Sequence, residues 1–125
     1  MRALAVLLAL AAGPVAAQDC GARPTQAEMN ACAAEAWRAA DAELNRAYGQ
    51  ALEVARRMDA RGDGAPERTL REAQRAWVAF RDLACAAEAQ PFQPGSITGL
   101  IAAGCLERLT RARTDDLAAY VGGLQ

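Results

Sequence analysis

Histidine and lysine are both absent from this chain of 125 residues, and aromatic residues are scarce, with two each of tryptophan, tyrosine and phenylalanine. Without an imidazole, catalytic arrangements that use histidine as the base are excluded. Zinc sites are also disfavoured, because histidine is missing and the four cysteines have no Cys-x-x-Cys spacing. The chain has no glycine-rich phosphate loop either. The sequence therefore predicts a protein that is not an enzyme and has no metal or cofactor.

Two pairs of carboxylates remain as candidates for acid–base chemistry, Asp41 with Glu43 and Asp115 with Asp116. Two carboxylates can act as acid and base in glycoside hydrolysis. Neither pair lies in a segment that indicates a substrate cleft, so we interpret both as solvated charges on helix faces. The net charge of −1 leaves no basic surplus, and nucleic acid is therefore not an expected partner.

The first residues have the layout of an export signal. Arg2 is followed by an apolar run over residues 3–12 and then by small residues up to Ala17. The predicted organisation is a cleavable signal peptide at residues 1–17 and one helical domain at residues 18–125. The apolar run is short for a bilayer core of ~30 Å, so a retained membrane helix is the lesser alternative. Cleavage would leave a weakly acidic domain in the periplasm or outside the cell.

All four cysteines, Cys20, Cys32, Cys85 and Cys105, lie after the predicted cleavage point. Because an exported chain meets an oxidising compartment, two disulfides are expected. Four cysteines allow three pairings. We favour Cys20–Cys32 with Cys85–Cys105, since each pair closes a short loop, and each bridge should stabilise the fold by roughly 3 kcal/mol.

Breakers divide the chain into three predicted helices, at about residues 25–58, 66–89 and 97–121. The first begins at a capping box formed by Thr25 and Glu28. The separating segments, DARGDGAP at 59–66 and QPFQPGS at 90–96, contain proline and glycine, which interrupt helices. No segment has the alternating pattern of a strand. The predicted fold is an all-α, three-helix domain with two disulfides.

Each predicted helix has its apolar positions on one face at ~3.6 residues per turn. On the first helix they are Ala33, Trp37, Ala40, Leu44, Ala47, Tyr48, Ala51 and Ala55. On the second they are Leu70, Ala73, Trp77, Phe80 and Ala84. On the third they are Ile101, Cys105, Leu106, Leu109, Leu117 and Tyr120. Alanine supplies much of this surface, so we expect a thin core that depends on the disulfides.

Several polar residues lie beside these apolar faces. Arg81 is about 40° from Trp77 around the second helix, with Gln74 on the same edge, and Asp41 borders the first helix's apolar face near Tyr48. If the two helices pack antiparallel, Asp41 and Arg81 can meet beside the aromatic rings, because a guanidinium binds carboxylates and stacks on indole. We interpret five residues as a buried polar network that sets helix register, namely Asp41, Tyr48, Gln74, Trp77 and Arg81. A ligand or partner site is the alternative.

Five motifs follow one another along the chain: Cys32, AADAELNRAY at 39–48, AQRAWVAFRDLAC at 73–85, Gly95-Ser96, and Cys105 followed by TRAR at 110–113. Their order resembles the lysozyme-inhibitor LprI-like family of exported bacterial proteins. The positions that match the family pattern are Asp41, Leu44, Asn45, Tyr48, Gln74, Trp77, Arg81, Cys85, Cys105, Thr110 and Arg113. The resemblance implies a small, disulfide-bonded helical module of the cell envelope, and it suggests lysozyme inhibition.

The first hypothesis for function is a binding protein that inhibits lysozyme or a related muramidase. A mildly acidic inhibitor gains some steering toward a cationic enzyme, while a loop plugs the enzyme's cleft. The candidate loop is residues 90–96, with Phe92 as an aromatic anchor and prolines that reduce the ordering cost. Its candidate contact residues are Gln90, Phe92, Gln93, Gly95 and Ser96. The alternative is that Phe92 covers the end of the core and that Gly95-Ser96 merely begins a helix.

The second hypothesis is an envelope structural or adaptor module without inhibitory activity. Four arginines cluster around the first interhelical loop, namely Arg56, Arg57, Arg61 and Arg68, and they could meet an acidic protein surface. They could equally be solvated. The sequence leaves the oligomeric state and the physiological target open.

Overall fold

A computed structural model describes residues 19–124, which form three long helices and two short 3₁₀ turns. Helix α1 comprises Gln26–Arg57, α2 comprises Ala65–Ala89 and α3 comprises Thr98–Gly123. The 3₁₀ turns are Cys20–Ala22 and Gln90–Phe92. No strand occurs in residues 19–124, and the predicted all-α, three-helix fold is confirmed. The predicted signal peptide at residues 1–17 lies outside the described residues.

Local hydrogen bonds explain where α1 begins and how the chain turns after it. Thr25 Oγ1 accepts the backbone N–H of Glu28 at 3.2 Å, and the Glu28 carboxylate accepts the N–H of Thr25 at 3.1 Å, which is the predicted capping box. After α1, the Asp59 carboxylate accepts the N–H groups of Gly62 and Gly64, both at positive φ. The hydrogen bond from Gly64 is the main cause that lowers the pKa of Asp59, and the hydrogen bond from Gly62 lowers it further.

Helix α2 runs antiparallel to its neighbours, so α1 and α3 lie parallel to each other. Near the start of both helices, Asn30 Nδ2 donates to the backbone oxygen of Ser96 at 3.0 Å. Further along, the Glu43 carboxylate lies 3.6 Å from the guanidinium of Arg111. Helix α3 packs along α1 and also against α2, whereas α1 and α2 share a shorter contact. The start of α1, the end of α2 and the start of α3 therefore meet at one end of the bundle.

Alanine supplies much of the core, as the sequence predicted, because seven of the sixteen buried apolar residues in the described part of the chain are alanine. Its main cluster of buried residues is Leu44, Ala51, Leu52, Ala55, Leu70 and Leu117. Half-buried aromatic residues pack against this cluster, namely Tyr48, Trp77 and Tyr120. A second cluster, at the end of the bundle where α1 and α3 begin, contains Cys20, Cys32, Ala33 and Ala103. Within residues 19–124, none of the helices is long and apolar enough to cross a membrane.

Both predicted disulfides are present. Cys20–Cys32 joins the first 3₁₀ turn to α1, with 5.5 Å between the Cα atoms. Cys85–Cys105 joins the last turns of α2 to the early part of α3, with 5.4 Å between the Cα atoms. The second bridge spans the connection that contains the candidate loop, so it holds the two helices that flank this loop.

The predicted buried face of α2 is wrong in part. Phe80 is 62% exposed and Ala73 is also exposed, although both were expected in the core. The residues that α2 buries are Leu70, Gln74, Arg81, Cys85 and Ala89. The helix is rotated because Cys85 must face Cys105 and because the Gln74 side chain bonds to α3. A second set of apolar side chains, including Phe80 and the 73% exposed Leu83, is left facing outward.

Candidate functional site

Arg81 is a charged residue in the interior of the bundle, and only 7% of it is exposed. Its Nη1 lies 3.4 Å from a carboxylate oxygen of Asp41 on α1, and its Nε donates to the Asp82 carboxylate at 2.9 Å. Its guanidinium also lies over two indole rings, 5.8 Å from the centre of Trp37 and 5.2 Å from that of Trp77. Arg81 thus connects α2 to α1 through the ion pair with Asp41 and the contact with Trp37, while Asp82 and Trp77 are its partners within α2.

The remaining members of the predicted network are divided between two other environments. The Gln74 side-chain oxygen accepts a hydrogen bond from Nε of Arg113 on α3 at 3.0 Å. Arg113 also lies over Trp77, at 6.0 Å, so this indole is contacted by two guanidiniums. Tyr48 packs against the main apolar cluster. The structure therefore brings Asp41, Trp77 and Arg81 together, with Gln74 linked to them through Arg113.

Three contributors to this arrangement were missing from the predicted network: Trp37, Asp82 and Arg113. Trp37 was predicted only as an apolar position of the first helix, and Asp82 was given no role. Arg113 belongs to the TRAR motif, so the family pattern marked it as a matching position, but the sequence did not indicate its contacts with Gln74 and Trp77. The carboxylates of Asp41 and Asp82 are both engaged with one permanent cation, an arrangement suited to fixing helix positions.

The candidate loop is held by a set of backbone and side-chain hydrogen bonds. The N–H of Gly95 donates to the backbone oxygen of Phe92 at 2.8 Å, and a cis peptide bond joins Gln93 to Pro94. The Thr98 hydroxyl lies within hydrogen-bond distance of the backbone oxygens of Phe92, at 2.9 Å, and Gly95, at 2.8 Å. A Cβ atom at Gly95 would come within 2.8 Å of the Phe92 oxygen, so the loop needs glycine here.

The surface of this loop combines exposed apolar groups with neutral hydrogen-bonding groups. Phe92 is 44% exposed and the neighbouring Ile97 is 38% exposed. Gln90, Gln93 and Ser96 are also exposed. No charged residue occurs between Glu88 and Glu107 in the sequence. The arrangement can insert an apolar anchor into a partner while its amide and hydroxyl groups donate hydrogen bonds.

Two of the four arginines near the α1–α2 loop, Arg56 and Arg68, are already engaged in hydrogen bonds. Arg56 bonds to Glu67 at 2.8 Å and to Glu53 at 2.6 Å, and Arg71 bonds to Glu67 at 2.7 Å. Hydrogen bonds from Arg56 and then Arg71 lower the pKa of Glu67 to about 2. Arg68 donates to a backbone oxygen at 3.3 Å. The local acidic groups thus neutralise part of this basic cluster.

Comparisons with known proteins agree with the motif pattern. Residues 16–117 match the sequence profile of the family described as "Lysozyme inhibitor LprI". An uncharacterized protein of Rhizobium meliloti (strain 1021) is 38% identical over an alignment of 125 positions, and the alignment covers 92% of this chain and 89% of that protein. No solved structure matches the chain significantly. The resemblance stated from the motifs is confirmed, and this chain belongs to the LprI family of lysozyme inhibitors.

Proposed function

We propose that this protein is an exported inhibitor of a lysozyme-type muramidase and that residues 90–97 form its contact surface. The family match over residues 16–117 carries the proposal, because that family is described as lysozyme inhibitors. The two disulfides support export, since such bridges persist in oxidising compartments. Under this proposal residues 1–17 are removed as a signal peptide and the domain works in the periplasm or outside the cell.

The chemistry of the loop suits the cleft of a glycoside hydrolase. Such enzymes use two carboxyl groups that flank the scissile bond. A loop with acidic side chains would be repelled by these groups, and residues 90–97 contain none. The exposed amides of Gln90 and Gln93 and the hydroxyl of Ser96 can instead donate hydrogen bonds to carboxylates.

The loop is also prepared for binding before it meets a partner. Binding affinity improves when a segment does not have to be ordered, because ordering each side chain or loop residue costs free energy. Here Thr98 and Gly95 hold the turn from within, and Asn30 holds it to α1 through the backbone oxygen of Ser96. Phe92 is then presented from a fixed frame as the aromatic anchor.

The test is the rate at which a lysozyme clears a cell-wall suspension as the purified, oxidised protein is added. We expect progressive slowing. Phe92→Ala should weaken inhibition by roughly thirtyfold, which corresponds to about 2 kcal/mol for an interface anchor. Phe80→Ala is the matched control, because the chain's other phenylalanine is also exposed but lies on the outward face of α2. It should leave inhibition unchanged.

A second variant tests the shape of the loop without removing a contact group. Gly95→Ala should weaken inhibition because the added Cβ forces the Phe92 carbonyl to move. Equal effects of Phe92→Ala and Phe80→Ala would contradict the assignment of the loop. Absence of slowing with several muramidase types, at a large molar excess of folded protein, would contradict inhibition and favour the adaptor hypothesis.

A further inference from the structure

A groove of about 520 Å³ lies between α2 and α3, at the end of the bundle away from the candidate loop. Its volume is within the range of roughly 300–1,000 Å³ that is typical of small-molecule sites. Leu70 and Leu117 form a buried apolar floor, and Pro66 and Tyr120 extend this apolar lining. The lining also contains charged side chains, which gives the groove one apolar and one polar part.

Arg113 brings a positive charge to this groove that its own hydrogen bonds do not neutralise. Its Nε donates to the neutral amide oxygen of Gln74, and its guanidinium lies over Trp77. Among residues 19–124, no carboxylate forms an ion pair with it at 4.0 Å or less, including that of Asp116, which lines the same groove. Arg81, on the same indole, is by contrast paired with two carboxylates.

We propose that this groove binds an amphiphile that has an apolar chain and one anionic head group, either a carboxylate or a phosphate. The guanidinium of Arg113 offers paired donors that match the oxygens of such a group. Of the two arginines that line the groove, Arg61 is paired with Asp63 at 3.9 Å, whereas Arg113 has no carboxylate partner among the described residues, so one anionic head group completes its pairing. The apolar chain lies above the buried Leu70 and Leu117 and removes the half-exposed Pro66 and Tyr120 from water.

The proposal is tested by isothermal titration calorimetry on the oxidised protein with four probes. These are dodecanoate, dodecyl phosphate, dodecanol and inorganic phosphate, with the amphiphiles kept below their micelle concentrations. We expect saturable binding of one dodecanoate or dodecyl phosphate per chain. Dodecanol should bind at least about tenfold more weakly, because it forms no charge-assisted hydrogen bond. Inorganic phosphate alone should show no measurable binding, and the stronger amphiphile identifies the preferred head group.

Three variants locate the site. Ala73→Phe fills the groove from an exposed position and should abolish binding, and Arg113→Gln should weaken binding of the anionic probes by at least about tenfold. Arg108→Gln removes an exposed arginine elsewhere on α3, which pairs with Glu88, and should change nothing. Circular dichroism and urea unfolding establish that each variant is folded.

Non-saturable binding, or binding that Ala73→Phe leaves unchanged, would overturn the proposal and indicate detergent-like adsorption. Equal affinity for dodecanol and dodecanoate would overturn the role of Arg113. These outcomes are independent of muramidase inhibition. A folded Ala73→Phe variant that still inhibits lysozyme separates the groove from the candidate loop, so either assignment can fail alone.

Discussion

Replacing Arg81 by methionine tests whether this buried charge is structural. Methionine keeps a long, unbranched side chain against Trp37 and Trp77 but removes the guanidinium. The two carboxylates that lose their partner remain accessible to water, since the side chains of Asp41 and Asp82 are 40% and 57% exposed. The substitution therefore leaves no buried, uncompensated charge, which is the usual reason that breaking an interior ion pair is costly.

The expected cost follows from the contacts that are lost. Ion pairs with such exposed carboxylates contribute about 0–1 kcal/mol each, and each of the two indole contacts contributes about 1 kcal/mol. Removing the charge also relieves the desolvation of a guanidinium whose side chain is only 9% exposed, which offsets part of this loss. We expect Arg81→Met to lower the free energy of unfolding by about 1 kcal/mol, with inhibition of lysozyme intact.

Urea denaturation of the oxidised protein, followed by circular dichroism, measures this change, and the cell-wall clearing assay measures inhibition. Arg81→Ala is the companion variant. It should be more destabilising than Arg81→Met because it also leaves a cavity. A loss above about 3 kcal/mol for Arg81→Met would refute the estimate of small net stabilisation. A fully folded Arg81→Met protein without activity would refute the structural role and place Arg81 in the functional site.

Three further predictions concern stability, each measured by urea unfolding. Replacing both Cys85 and Cys105 by alanine opens a loop with a sequence separation of 20 and should cost about 3 kcal/mol; an unchanged urea midpoint would contradict this. Leu117→Ala, at a fully buried position on α3, should cost about 2–5 kcal/mol. Phe80→Ala, at an exposed position on α2, should cost less than about 1 kcal/mol. Similar costs would contradict the outward orientation of Phe80. Arg56 and Arg71 lower the pKa of Glu67 from 4.5 to about 2. The contribution of ionised Glu67 to the free energy of unfolding is therefore complete above pH 4.5 and is lost as the pH falls toward 2. Between these pH values the native protein should lose more stability than Glu67→Gln, and parallel pH profiles would contradict this.

The fold could be predicted because its decisive signals are local. Proline and glycine separate the helices, and the side chains of Thr25 and Glu28 mark the start of α1. Short loop closure favoured one of the three possible disulfide pairings, and both bridges of that pairing are present. Asp41 and Arg81 lie beside the apolar faces of their helices and were predicted to be able to meet if these helices pack antiparallel, and their side chains are 3.4 Å apart.

The orientation of α2 could not be predicted in the same way. This helix has apolar side chains on two faces, so periodicity alone does not decide which face α3 covers. The disulfide at Cys85 and the bond between Gln74 and Arg113 select the face that contains Arg81, and Phe80 is left outside. The groove between α2 and α3 was also missed, because it depends on how two stretches that are far apart in sequence, 61–73 and 113–120, lie relative to each other.

The parallel arrangement of α1 and α3 has a practical consequence for attaching the protein to a surface. Residue 19 precedes the disulfide-linked turn at the same end of the bundle as residues 90–97, while α3 ends at Gly123 on the far side. A fusion partner or biosensor linkage at the start of the domain would therefore crowd the candidate loop. Immobilisation through the carboxyl terminus would leave that loop pointing into solution, accessible to an enzyme in the flowing sample.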